Sequence, residues 1–157
     1  MRPHNGLNDS VPRRYNPFLR MADKPAVTAE LIWSGDLRFG ATTGATAIVT
    51  DGDSAAGPSP VQLLAVALAG CMAADVVDII RKGRHPLHAF RTTLSGARAS
   101  EPPRRLTSVH LQFHVHGDVP AHVIERAIAL SRDKYCSVWA SLRQDIDLTT
   151  AFDVMAA

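Results

Sequence analysis

The chain has 157 residues, 46% of them hydrophobic and 20% charged, a balance that excludes wholesale disorder and fits one domain around one core. Its formal charge of +2 comes from the N-terminus: residues 1–24 hold five Lys/Arg against two acids, leaving twelve basic and thirteen acidic residues in 25–157. The body of the chain is close to neutral, which excludes the clustered basic surface that nucleic-acid binding needs.

Residues 1–24 mix Pro, Arg, Asn and Ser without period and read as a flexible arm ahead of a single domain over 25–157. Met21 offers a second candidate start, which would leave residues 1–20 untranslated. The arm lacks the continuous apolar run of a secretory signal. The two cysteines, Cys71 and Cys136, are too few for a disulfide-stapled scaffold and share no short metal spacing. A reducing cytoplasm is therefore expected, with no metal and no cofactor.

Ala26–Trp33, Leu37–Thr42 and Thr46–Thr50 read as three short strands joined by Gly-containing turns. Asp51–Ser59 is a loop, in which Ser59 is an N-cap candidate with Pro60 at the first helical position. The helix expected over 60–82 is apolar nearly all round, so it belongs inside a core or between subunits. Its apolar part, Leu63–Ala74 within the uncharged stretch 54–74, falls short of the ~20 residues that span a bilayer, and no membrane is expected as a partner. Leu87–Ser95 and Leu106–His116 are strands, the second alternating Val109, Leu111, Phe113 and Val115 against His110, Gln112, His114 and His116. An amphipathic helix over Ala121–Lys134, a short turn at Val138–Leu142 and a last strand at Asp145–Phe152 complete an α+β order, βββ-α-ββ-α-β, with strands expected to be antiparallel neighbours.

The three histidines on one strand face lack a nearby carboxylate or thiol to complete a ligand set, and a solvated polar face explains them. Cys71 lies too far along its helix for the N-terminal dipole to lower its pKa. Asp75, one turn on and on the same face, opposes a thiolate there. A reactive Cys71 thus requires a cation from elsewhere in the fold. Core packing is the ordinary role of such a cysteine. Cys136, just past a helix and before Ser137-Val138-Trp139, is the better placed for an accessible thiol.

The run GPSPVQLLAVALAGCMAADVVDIIRKGR, the later KYCSV, the closing DIDLTTAF and the early WSGDLRF together resemble the OsmC/Ohr family, over about residues 26–154. The resemblance implies an intertwined α+β homodimer with two long helices at its centre, each subunit contributing to both sites. It also implies a thiol-dependent peroxidase of organic hydroperoxides, in which Cys71 attacks the peroxide, Cys136 resolves the sulfenic acid into a disulfide, and a dithiol reductant restores both. Arg38, in WSGDLRF, matches the arginine that stabilises the thiolate. The peroxidase members carry a glutamate directly after the helix-opening proline to orient that arginine; here the residue is Val61, followed by Gln62, so Arg38 is expected to lack its carboxylate. Val61 also supports an alternative, a noncatalytic dimer binding a small apolar or thiol ligand at the interface with both cysteines reduced.

Overall fold

A computed structural model describes residues 26–156; the expected arm at 1–24 and the second start at Met21 lie outside the described residues. Three strands, β1 (Glu30–Gly35), β2 (Arg38–Thr43) and β3 (Thr46–Asp51), form one antiparallel sheet in the order β1-β2-β3. The β1–β2 turn passes through Gly35 and Asp36, both at positive φ (113° and 48°), a region open to glycine and tolerated by Asp. Ala26–Ala29, expected as the start of the first strand, are irregular.

Helix α1 (Pro60–Lys82) follows the Asp51–Ser59 loop within the expected bounds. Its start is a full capping box: the Ser59 hydroxyl accepts from the Gln62 backbone N–H, while Gln62 Oε1 accepts from the Ser59 N–H at 2.8 Å. Gln62 is thereby committed to closing the helix. Within one chain α1 buries a single ridge, Leu68, Met72, Val76 and Ile80, at four-residue steps.

Beyond α1, β4 (Leu87–Arg98) pairs antiparallel with β5 (Leu106–Gly117), and α2 (Ala121–Leu130) then leads through one π-helical turn, Ser131–Tyr135, to α3 (Ser137–Ala140) and β6 (Asp147–Met155). β6 pairs parallel with β5. This corrects the all-antiparallel expectation: β5-α2-β6 is a crossover unit, since only a connection that recrosses the sheet returns the chain in the same direction. The inward residues of β5, Val109, Leu111, Phe113 and Val115, meet the α1 ridge and Ile124, Ala127 and Ile128 of α2 in one core. On the outer face, His114 Nδ1 lies 2.7 Å from Asp153 and His110 Nδ1 lies 2.9 Å from Thr149, so β6 partners the polar side of β5 and corrects the expectation that these histidines have no carboxylate nearby.

Gly117, at φ 149°, closes β5 where an added Cβ would meet the Pro86 carbonyl oxygen at 2.1 Å. Gly117→Ala should therefore lower the unfolding free energy by more than about 1 kcal/mol, measured by urea denaturation. An unchanged midpoint would show that the β4–β5 end relaxes freely.

The first sheet contributes no buried apolar residue to this core. Leu31, Ile32 and Trp33 on β1 are half exposed or more, as is Val66 on the free side of α1 at 66%. Over its 23 residues α1 is, by length and composition, long and apolar enough to cross a membrane. A helix sequestered in a protein core meets the same measure, and Asp75 and Asp78 fall within α1. Large apolar surface left on both a sheet and a central helix calls for cover.

Candidate functional site

The Cys71 sulfur, the Cys136 sulfur and a carboxylate oxygen of Asp75 lie within 4.8 Å of one another. Two residues come from one face of α1, where Cys71 and Asp75 are a single turn apart. The third arrives through the π turn after α2. In that turn the Cys136 N–H donates to the Ser131 carbonyl at 2.8 Å, a five-residue closure that wraps the chain back toward α1. It also seats Ser131, which is fully buried, with its hydroxyl donating to Asp75 Oδ2 at 2.8 Å. The π turn replaces the last turn of the helix expected to run to Lys134.

The two thiols differ in surroundings. Cys71 is partly exposed, whereas Cys136 is 2% exposed. Burial pushes the Cys136 thiol up to about 11 against the opposing donation of the Trp139 backbone N–H, which reaches Cys136 Sγ at 3.3 Å, and neighbouring Cys71 pushes the same way. The expectation that Cys136 is the more accessible thiol is thus corrected: it caps α3 from the inside and packs in the core with Trp139. Asp75 lies in the wall of a cleft of about 390 Å³ that also presents Asp78, Ile79, Lys82 and Tyr135. Neither thiol lines that cleft; the cluster meets solvent through the partly exposed Cys71.

Arg38 is not part of this cluster within one chain: no hydrogen bond or ion pair joins it to Cys71, Asp75 or Cys136 among the described residues. It stands opposite Asp51 in the β2–β3 register. Arg38 Nε lies 3.8 Å from Asp51 Oδ2, and Nη2 lies 3.5 Å from Asp36 Oδ2. The first distance is an ion pair but too long for a hydrogen bond, and this buried nitrogen has no hydrogen-bond acceptor among the described residues. Asp51 is fixed: it is 3% exposed and accepts the backbone N–H groups of Asp53 at 3.0 Å and Ala56 at 2.9 Å. Those donors, with a further contribution from Arg38, hold its carboxyl below the usual range despite burial. The expectation that Arg38 lacks a carboxylate is corrected, because β3 supplies one. Val61 instead packs against the core and lines a separate cleft with Gly52 and Ser54.

Sequence reasoning missed Asp51 and Ser131. The run Asp51-Gly52-Asp53-Ser54 carried a usable signal, since an Asp that accepts from the N–H two residues on makes an Asx-turn. Ser131 carried none, because its value depends on the π turn.

A long apolar helix carrying one thiol against a three-stranded sheet, with the second thiol delivered by a crossover, defines an α+β dithiol protein. The profile of the family described as OsmC-like protein matches residues 51–151, and the chain belongs to that family. It is 36% identical to Protein YhfA of Escherichia coli K12 over 132 residues, covering 82% of this chain and 98% of the relative. A hypothetical protein from Aquifex aeolicus VF5 superposes with a TM-score of 0.80 at 26% identity, over 85% of this chain and 99% of that one. An organic hydroperoxide resistance protein OsmC from Legionella pneumophila superposes at 0.63 over 83% and 98%; at 17% identity it shows the common fold.

Proposed function

We propose that the protein is a homodimeric, thiol-dependent peroxidase that reduces organic hydroperoxides through Cys71 and Cys136. The observation that carries this reading is the meeting of the two sulfurs, 65 positions apart in sequence, within 4.8 Å. A small closure brings them to the ~2.05 Å of a disulfide. In the cycle, the Cys71 thiolate takes the terminal oxygen of the hydroperoxide; with one proton, the alcohol leaves and Cys71 becomes a sulfenic acid. The Cys136 thiol then attacks the Cys71 sulfur, a disulfide forms, and its proton departs with the sulfenic hydroxyl as water. An external dithiol takes over the disulfide and restores both thiols. A reducing cytoplasm is the compartment in which such a cycle can be completed.

The reading is tested by intact mass after one equivalent of an organic hydroperoxide. A loss of two hydrogens, reversed by a dithiol, is expected; survival of both thiols in the folded protein would leave the noncatalytic ligand-binding reading in its place.

The dimer is supported by the uncovered faces of α1 and β1. Each fully buried Leu or Val contributes about 1.5–3 kcal/mol, and Val66, Leu31, Ile32 and Trp33, half exposed or more, fall well short of that within one chain. In the proposed assembly Arg38 reaches the thiols of the second copy, which agrees with its having neither hydrogen bond nor ion pair to the cluster of its own chain among the described residues. Sedimentation at micromolar concentration should give twice the chain mass of 16.9 kDa. Val66→Asp should shift the species toward monomer, and a stable wild-type monomer would remove the dimer.

A further inference from the structure

We propose that the reduced Cys71–Asp75–Cys136 cluster is a three-ligand site for zinc, with the fourth coordination position left to solvent. Three ligand atoms no more than 4.8 Å apart share a point within about 2.8 Å of each, against the ~2.3 Å of a zinc–sulfur bond and ~2.0–2.2 Å of a zinc–carboxylate bond. Contraction by about half an ångström completes the shell. Two thiolates with one carboxylate form a borderline-soft donor set, which suits zinc better than magnesium or calcium, whose shells are all oxygen.

Two observations beyond the cluster point to a ligand site. Ser131, fully buried, spends its hydroxyl on Asp75 Oδ2 at 2.8 Å, the one side-chain hydrogen bond of that carboxylate among the described residues. The Trp139 N–H is directed at Cys136 Sγ at 3.3 Å. Outer partners that orient a carboxylate and supply a donor to a thiolate are what a metal site needs around its ligands. An entry path exists as well, because Cys71 is partly exposed. Sequence spacing could not disclose this site, since the second thiol reaches α1 only through the π turn.

The inference does not depend on the peroxidase reading, because it concerns the reduced protein without peroxide. Zinc and a disulfide are mutually exclusive on these sulfurs, so bound zinc would also shield the thiols from oxidation.

The test uses the reduced full chain titrated with cobalt(II) as a spectroscopic stand-in, and then with zinc against a chromogenic chelator. A thiolate-to-cobalt charge-transfer band is expected, about halved in Cys71→Ser and in Cys136→Ser and absent from the double variant. Asp75→Asn should keep the band but weaken zinc binding at least tenfold, and Ser131→Ala should weaken it roughly tenfold. Circular dichroism and the thermal midpoint establish that each variant is folded. The proposal is overturned by a wild type without the band, by a folded double variant that binds zinc as tightly as the wild type, or by Asp75→Asn with undiminished affinity. Oxidation by one equivalent of hydroperoxide should abolish zinc binding; zinc retained by a demonstrably disulfide-bonded protein would place the metal elsewhere.

Discussion

Cys71→Ser is expected to abolish hydroperoxide consumption, while Cys136→Ser consumes about one equivalent to reach the Cys71 sulfenic acid, with each further oxidation of that sulfur using one more equivalent. The asymmetry follows from the environments of the two sulfurs. Cys136 is 2% exposed and packed with Trp139, so peroxide has little access to it, whereas Cys71 is partly exposed on α1. Burial, with Cys71 alongside, also raises the Cys136 thiol to about 11 and so depletes its thiolate at neutral pH. Cys136 is suited to a step in which its proton leaves with a hydroxyl rather than one that needs a standing thiolate. Mass spectrometry and a dimedone trap measure the outcome. If Cys71→Ser retained multiple turnovers while Cys136→Ser lost them from the first equivalent, the two roles would be exchanged. If both variants matched the wild type, the peroxidase reading would fall.

The parts of this fold that were legible in sequence are those set by local chemistry and period. Ser59 and Pro60 announce the start of α1, and the alternation from Val109 to Val115 names the buried side of β5. Side-chain period does not encode which neighbour a strand pairs with, so the parallel register of β6 was invisible, as was the absence of the first sheet from the core. The π turn was hidden for a different reason. Ala121–Lys134 fits an ordinary helical period, and the closure from Cys136 to Ser131 becomes favourable only when α1 offers Asp75 to the Ser131 hydroxyl. The pairing of Cys71 with Cys136 was accordingly available only through family resemblance, and Asp75, read as an opposing charge, was a member of the cluster whose third-party contacts no local pattern displays.

Arg38→Ala is expected to bring peroxide turnover close to zero, and Asp51→Asn to lower it by about ten- to a hundredfold, although neither residue lies among the thiols of its own chain. A partly buried thiol beside the Asp75 carboxylate needs a cation to favour its ionised form, and in the proposed dimer Arg38 of the second copy is that cation. Val61 offers no charge to orient it. Asp51 does, from the directly opposing position on β3, with its own carboxylate fixed by the Asp53 and Ala56 N–H groups. Arg38 Nε is 3.8 Å away and makes no other hydrogen bond among the described residues, so a modest closure when substrate enters would complete a charge-assisted bond. Such a bond is worth about 1.5–3 kcal/mol, which is the source of the expected rate loss. The diagnostic measurement is the pH dependence of Cys71 alkylation in the dimer. Removing a positioned cation raises the thiol pKa, so the alkylation profile should move to higher pH in Arg38→Ala and by less in Asp51→Asn, with the thermal midpoint reporting any unfolding of the 51–59 loop. An unmoved profile in folded Arg38→Ala would identify another group as the cation; a shift in Arg38→Ala with none in Asp51→Asn would leave Arg38 in place and assign Asp51 to the loop alone.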